Sequence, residues 1–188
     1  AKRLLEKKER KLDLGVATTE ANEHTYFVNF AETGIGASVV AHEARSQREL
    51  PGRASYMLSA VEAIREHRSS VVTVLVDDLV IYEGPAVSVV AANGAFFGGG
   101  MKIAPGAVMW DGALDVVVLG DFTRAELIAN MWKIYPGVHV RMRKVTYRQG
   151  TRVQVVTERR TGLDLDGELY DFGSYQLSVV PGSLRLLA

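Results

Sequence analysis

The sequence contains no cysteine, and its formal net charge is zero, with 22 basic and 22 acidic residues among 188. Without cysteine the chain has neither a disulfide framework nor thiolate metal ligands. Without net charge it has no overall field that would attract nucleic acid or an anionic membrane. The longest apolar runs, such as Val71–Val76, are far shorter than the ~20 residues that span a bilayer. No histidine spacing typical of a zinc site occurs among His24, His42, His67 and His139.

What is present is a composition that is 47% apolar and of mixed charge, which is typical of a globular protein. Short segments rich in β-branched and aromatic residues alternate with turn residues, and we interpret Asp77–Asp78 and Glu83–Pro85 as hairpin turns. This pattern predicts a mainly β fold, an antiparallel sandwich or barrel-like domain. The predicted strands are TYFVNF (25–30), VVTVLV (71–76), LVIY (79–82), AVSVVAA (86–92), ALDVVVL (113–119), VHVRMRKV (138–145), TRVQVVTE (151–158) and YQLSVV (175–180).

Two helices are predicted between these strands, at Arg53–Arg68 and Thr123–Tyr135, with a shorter helical stretch before the first. Thr123 and Glu126 have the spacing of a capping box. The second helix carries an apolar stripe that we expect to face the core, made of Leu127, Ile128, Met131, Trp132 and Tyr135.

Three carboxylates stand at alternate positions near the end of the chain: Asp164, Asp166 and Glu168. An EF-hand is excluded, because placing Gly167 at its sixth position puts glycine at both the first and the last ligand positions. On a strand, alternate residues share a face, so we expect these acids to converge on one side. Taken alone, a solvated edge strand explains such a face, while a cation or a substrate hydroxyl that relieves the repulsion is the alternative.

A glycine-rich stretch precedes them, with Asn93–Gly94 followed by Gly98, Gly99 and Gly100. Three consecutive glycines weaken a strand, and they are typical of a backbone that approaches another group closely or adopts positive φ. A simple glycine-rich turn is the other reading.

Six segments occur in this order along the chain: YFVNFAETGIGASV, PGRASYMLSAVEAI, ANGAFFGGGMKIAPGAVMWDGALDVVVL, YPGVHV, LDLDGE and SVVPGSLRLL. Together they resemble the carboxyl-terminal domain of the soluble diacylglycerol kinase family, bacterial lipid kinases related to sphingosine kinases. The resemblance runs from about Leu12 to the end of the chain, and the joint occurrence of its motifs is specific.

The resemblance implies a β-sandwich domain that takes part in ATP-dependent phosphorylation of the primary hydroxyl of diacylglycerol or a similar lipid. It places the general base at the LDGE segment, where Asp166 is the favoured proton acceptor and Glu168 orients the site or acts in its place. Asn93, Gly98, Gly99 and Gly100 would shape the substrate cleft.

The resemblance also implies a structural Mg²⁺ site at the VMWDGA segment. There the side chain of Asp111 would bind the ion together with the backbone carbonyls of Val108 and Ala113, and water would complete the shell. A plain Asp111–Gly112 turn is the alternative.

The chain departs from the family pattern because it contains no GGDGT motif. We expect residues 1–11 to be a connector from a missing nucleotide-binding domain, a reading we prefer to a lipid-surface anchor, and residues 12–188 to be the substrate domain. This chain alone should therefore not phosphorylate a substrate with ATP. The resemblance further implies a cytoplasmic protein that contacts membrane peripherally, and an exposed sheet edge makes a homodimer conceivable. A non-catalytic lipid-binding or scaffolding domain of the same fold is the alternative function.

Overall fold

The computed structural model describes residues 9–45 and 52–187. Within these residues, two antiparallel six-stranded sheets have the orders β2-β1-β12-β9-β4-β5 and β11-β10-β3-β6-β7-β8. The strands are β1 (Glu9–Thr19), β2 (His24–Phe27), β3 (Phe30–Gly34), β4 (Ser70–Val76), β5 (Leu79–Ala86), β6 (Ser88–Ala92), β7 (Leu114–Leu119), β8 (Val145–Gly150), β9 (Arg152–Thr157), β10 (Thr161–Leu165), β11 (Glu168–Phe172) and β12 (Tyr175–Leu187). The predicted antiparallel, mainly β sandwich is confirmed.

The main core lies between the two sheets, where alternate residues of both contribute side chains. Val74 and Val155 come from the first sheet, while Val116 and Leu163 come from the second. The second sheet is buried on its other face as well, which is why every residue of β6 is buried. Loops and helices cover that face, and a smaller apolar cluster around Val90, Val117 and Ile103 lies beneath them.

Three α-helices lie within the described residues: α1 (Ile35–Arg45), α2 (Gly52–Glu66) and α3 (Arg124–Asn130). None of the described helices is long and apolar enough to cross a membrane. The capping box at α3 is confirmed, because Thr123 Oγ1 accepts the Glu126 N–H and Glu126 Oε2 accepts the Thr123 N–H. The helix ends at Asn130 and a 3₁₀ turn, Met131–Ile134, follows.

One predicted turn and the start of one predicted strand are wrong in this part of the fold. Glu83–Pro85 is not a turn but lies within β5, whereas the Asp77–Asp78 turn is confirmed with positive φ at both residues. The segment predicted as a strand at 138–145 begins with a 3₁₀ turn, Val138–Arg141. His139 is buried there, and its Nε2 hydrogen-bonds the Ile103 carbonyl at 3.0 Å.

Most of the predicted connector, residues 1–8, lies outside the described residues. Its last three residues belong to β1, which pairs with the carboxyl-terminal strand β12 from Glu9↔Leu187 onward. The first and last described residues of the chain therefore lie side by side in one sheet.

Candidate functional site

A break between β2 and β3 is the centre of the candidate site. The sequence predicts one strand over residues 25–30, but β2 ends at Phe27 and β3 begins at Phe30. We call residues Val28–Phe30 the 28–30 loop. Its backbone N–H groups point away from the sheet ladder and need other acceptors.

Asp166 supplies those acceptors. Its Oδ2 accepts the Val28 N–H at 2.6 Å, and its Oδ1 accepts the Asn29 and Phe30 N–H groups, both at 2.9 Å. The Asp166 N–H in turn donates to the Phe30 carbonyl at 3.2 Å. Three convergent backbone donors form a nest that stabilises the negative charge of the carboxylate. Asp166 therefore fixes the 28–30 loop against the β10–β11 hairpin.

The hairpin turn accounts for both Asp166 and Gly167. Their φ angles are 54° and 99°, the positive values that a two-residue turn between right-twisted strands requires. A side chain at Gly167 would meet no atom within 4 Å, so its backbone angle and not crowding selects glycine there.

The expectation that three carboxylates share one strand face is wrong, because the turn separates them. Glu168 begins β11, an edge strand, and its side chain is exposed. Its Oε2 accepts a hydrogen bond from the Tyr170 hydroxyl at 3.1 Å. Both acids of the LDGE segment are exposed, but both oxygens of Asp166 accept backbone N–H groups, whereas Glu168 accepts one hydrogen bond from the Tyr170 hydroxyl.

Asp164 is buried in β10, and it pairs in register with Glu32 of β3, which is also buried. Burial raises the pKa of Glu32 to about 7, and the charge of Asp164 adds to the effect. Burial raises the pKa of Asp164 to about 6, while a hydrogen bond from the Gly167 N–H to its Oδ1 opposes the shift. Two buried acids with raised pKa values thus lie behind the turn that carries Asp166.

Asn93 holds the same loop from the other side. Its fully buried amide donates to the carbonyls of Asp13 and Val28, at 2.9 and 2.7 Å. The backbone N–H groups of Asn93 and Gly94 both donate to the Asn29 carbonyl, at 2.8 and 2.9 Å. A Cβ at Gly94 would collide with the Asn29 side chain, so the Asn-Gly pair is required by close approach.

The glycine triplet forms a 3₁₀ turn, with φ of 64° at Gly99 and 85° at Gly100. An isolated bridge between Phe97 and Met101 closes it into a small loop. This loop lies beside the 28–30 loop, because the Asn29 side-chain amide donates to the Phe96 carbonyl at 2.9 Å. The Phe97 ring also packs edge-on against Phe30, with centroids 5.3 Å apart.

The predicted metal residues lie on a separate turn before β7. Asp111 Oδ1 accepts the Ala113 N–H at 3.1 Å, and its Oδ2 accepts the Gln149 amide at 2.8 Å. The Val108 carbonyl accepts the N–H groups of Trp110 and Asp111, at 2.8 and 3.4 Å. Buried Asp13 fixes the turn by accepting the Gly112 N–H at 2.8 Å.

Asp115 is a second acid near this turn, and it is buried. Burial raises its pKa, a hydrogen bond from Tyr147 lowers it, and the charge of Asp111 raises it. A cation beside Asp111 would relieve that repulsion, and carboxylate and carbonyl oxygens are ligands that Mg²⁺ accepts. The described residues contain no group of three or more acidic or histidine side chains that could hold a metal. The donors at this turn fit Mg²⁺ in type, with backbone carbonyls and water completing the shell.

The structure thus brings Asp166, Asn93 and the glycine triplet together around the 28–30 loop. Asp13 joins the Asp111 turn to this group, because its carbonyl accepts the Asn93 amide and its carboxylate accepts the Gly112 N–H. Sequence reasoning missed Asp13 and Glu32. A lone acid inside an apolar segment, as in LDLG (12–15) or NFAETG (29–34), was the available signal.

Comparisons with known proteins concern the family and the fold of this chain. The family model described as the YegS C-terminal NAD kinase beta sandwich-like domain matches residues 29–188. A "Probable lipid kinase YegS-like" of Alcanivorax borkumensis is 26% identical over 175 residues, covering 88% of this chain and 55% of that protein. A "Diacylglycerol kinase" of Bacillus subtilis is 24% identical over 159 residues, covering 85% and 50%. The chain therefore spans about half the length of these relatives.

Two crystal structures from Bacillus anthracis str. Sterne share the fold over 100% of this chain. The first has a TM-score of 0.73 at 21% identity and is covered to 59%; the second, a diacylglycerol kinase, has a TM-score of 0.66 at 16% identity and is covered to 57%. Since the family model matches most of the chain, the predicted resemblance is confirmed. The chain belongs to the family of YegS C-terminal, NAD-kinase-like β-sandwich domains.

Proposed function

We propose that this chain is the substrate-binding and base-supplying half of an ATP-dependent lipid kinase, which phosphorylates the primary hydroxyl of diacylglycerol or a similar lipid. The observation that carries the proposal is the joint arrangement around the 28–30 loop, where the LDGE turn and the Asn93–Gly100 segment meet. Names of matched relatives support the reaction class. The nucleotide would be bound mainly by a GGDGT-bearing domain that the 188 residues do not include.

Within this function, Glu168 is the better candidate for the proton acceptor, and Asp166 is a positioning residue. A general base must reach the substrate hydroxyl with an available oxygen. Glu168 is exposed and accepts one hydrogen bond from Tyr170. The two carboxylate oxygens of Asp166 accept hydrogen bonds from three backbone N–H groups of the 28–30 loop.

The reaction balances as a phosphoryl transfer. The lipid hydroxyl oxygen forms a bond to the γ-phosphorus of ATP, the bond from that phosphorus to the bridging oxygen breaks, and ADP leaves. The hydroxyl proton passes to Glu168. The product is a lipid phosphate of the phosphatidic acid type.

Mg²⁺ at the second turn would be held by the Asp111 carboxylate, with the Val108 and Ala113 carbonyls and water. Such an ion would neutralise acidic charge beside Asp115 and brace the turn that precedes β7. Asp13 already anchors this turn to β1 and to β12, since its Oδ1 accepts the Gly182 N–H at 2.7 Å. The ion would therefore add to an existing protein framework.

The experiment compares Glu168→Gln with Asp166→Asn in the natural protein that contains this chain, assayed with ATP, Mg²⁺ and diacylglycerol in mixed micelles. Glu168→Gln should lower kcat by about 10²–10⁴-fold and leave the unfolding midpoint unchanged, because an exposed side chain is replaced by its isostere. Asp166→Asn should lower both kcat and the unfolding midpoint. One carboxylate oxygen is replaced by an amide NH₂ group, which cannot accept the backbone N–H groups of the 28–30 loop.

Unchanged kcat in Glu168→Gln would remove Glu168 from the mechanism and return the role to Asp166. Absence of any ATP-dependent phosphorylation in the parent protein would favour the alternative of a non-catalytic lipid-binding or scaffolding domain.

A further inference from the structure

One stretch of this neutral chain is strongly basic. Between Phe122 and Arg148 there are six basic residues and one acid, Glu126. Glu126 is paired with Lys144 at 2.7 Å. Arg141 and Arg143 are exposed. The remaining chain carries the compensating negative charge, so positive and negative charge are unevenly distributed along the sequence.

Two large aromatic side chains are exposed beside lysines, one within this stretch and one outside it. Trp132 is 62% exposed, and Lys133 Nζ lies 5.9 Å from the centre of its ring. Phe96 is 54% exposed, with Lys102 Nζ 5.7 Å from its ring centre. The expectation that the whole apolar stripe of the predicted helix at Thr123–Tyr135 faces the core is wrong for Trp132 and for Ile128, which is also exposed. Aromatic rings next to lysines suit the boundary between lipid headgroups and acyl chains.

These two pairs form one surface. The Lys102 N–H donates to the Ile134 carbonyl at 3.0 Å, which joins the segment of Phe96 to the segment of Trp132. A Cβ at Gly137 would lie 3.3 Å from Lys102 Cδ. We call the surface made of Phe96, Lys102, Trp132 and Lys133 the aromatic-basic face.

An apolar cavity of about 120 Å³ lies directly behind this face. Its lining alternates with the exposed residues along the chain: Phe97 follows Phe96, Met101 precedes Lys102, and Met131 and Ile134 flank Trp132 and Lys133. Residues next to the aromatic-basic face in sequence therefore line this apolar cavity.

We propose that the aromatic-basic face docks on a bilayer that contains anionic lipid, with Trp132 and Phe96 at the level of the headgroups and Lys102 and Lys133 against lipid phosphates. Charge complementarity selects the occupant, because Lys102 and Lys133 beside the exposed rings attract an anionic surface. Exposed aromatic rings and the apolar cavity behind them favour lipid over nucleic acid. Docking here needs no nucleotide, so it can be tested apart from kinase activity.

The first experiment uses the two tryptophans of the chain, which are exposed to similar extents at 62% for Trp132 and 58% for Trp110. In Trp110→Phe, the remaining Trp132 should show a blue-shifted emission when the protein is mixed with phosphatidylcholine vesicles containing phosphatidylglycerol. In Trp132→Phe, the remaining Trp110 should show no shift. A shift of Trp110 alone, or of neither residue, would overturn the proposal.

The second experiment measures vesicle co-sedimentation without ATP. Lys102→Gln/Lys133→Gln should weaken binding to the anionic vesicles by about 30-fold, at roughly 1 kcal/mol for each basic residue. Lys11→Gln/Arg159→Gln removes the same number of charges from exposed positions on β1 and on the turn after β9, and it should bind as the parent does. Binding of the parent to pure phosphatidylcholine vesicles should be weaker.

Equal loss in both double variants would show that net charge and not this face governs binding, and the proposal would fail. It would fail as well if the Lys102/Lys133 variant kept full vesicle binding but lost a protein partner, because the face would then be a protein interface.

Discussion

Replacing Glu32 with glutamine should change how the stability of the protein depends on pH. Glu32 Oε1 accepts the Gly36 N–H at 2.9 Å and the Ser88 hydroxyl at 2.7 Å. Its Oε2 is buried and has no hydrogen-bond partner in the part of the chain that the structure describes. Glutamine keeps the accepting oxygen and removes the titration, so the substitution isolates the ionisation of one buried group.

The magnitude follows from the pKa. Burial raises the pKa of Glu32 from 4.5 to about 7, which corresponds to about 3 kcal/mol at about 1.4 kcal/mol per unit. Because the folded state holds the proton more tightly than the unfolded state, the stability from this group is fully present below pH 4.5. It decreases as the pH rises and is lost above about pH 7. The buried amide of the variant adds a cost of about 1–3 kcal/mol that does not depend on pH.

Urea unfolding followed by tryptophan fluorescence from pH 4.5 to pH 8.5 measures the difference in unfolding free energy between Glu32→Gln and the parent. That difference should move in favour of the variant by about 3 kcal/mol across the range. Titrating groups that do not interact with Glu32 occur in both proteins and cancel, whereas Asp164, whose charge acts on Glu32, contributes to the difference. The exposed Glu83→Gln serves as control and should give a flat difference. A flat difference for Glu32→Gln as well would refute the reasoning that burial protonates this group.

Two further predictions concern the framework of the fold. Thr123→Ala should lower the unfolding free energy by about 1 kcal/mol, measured by denaturant titration, because the Glu126 N–H loses its capping acceptor; Thr123→Ser should restore it. Tyr147→Phe should cost about 1–3 kcal/mol at neutral pH, because buried Asp115 loses a hydrogen-bond donor and the Gly106 N–H loses its acceptor. An unchanged midpoint in either variant would contradict its reason.

The parts of the fold that sequence predicts are those decided by local pattern. Period-two alternation located most strands, turn residues located the Asp-Asp turn at 77–78, and the spacing of Thr123 and Glu126 located the capping box. Each of these features depends on neighbours within a few residues. The segment at 138–145 shows the limit. Its alternation suits a strand, but burial of His139 against Ile103 and the left-handed Gly137 before it start a 3₁₀ turn.

The sequence supplies candidate residues for the site, but it does not contain their geometry. The sequence places an acid beside a glycine at Asp166, yet the hydrogen bonds that define its role join it to residues 136–138 positions away. Glu32 owes its burial and raised pKa to sheet pairing with β10, which is equally remote in sequence. No periodicity within one segment contains such information.

The 28–30 loop explains why motifs so far apart occur together in one chain. A strand break exposes three N–H groups, and an acid at a hairpin turn is the one anionic group that accepts all three. The carbonyl of Asn29 then needs donors, which Asn93 and Gly94 supply, and its side chain reaches the segment of the glycine turn. Each motif therefore satisfies backbone groups that another leaves unpaired. Glu168 is two residues from Asp166, so we expect that loosening the loop would also displace Glu168. The hydrogen bonds that fix the 28–30 loop therefore also position the proposed base.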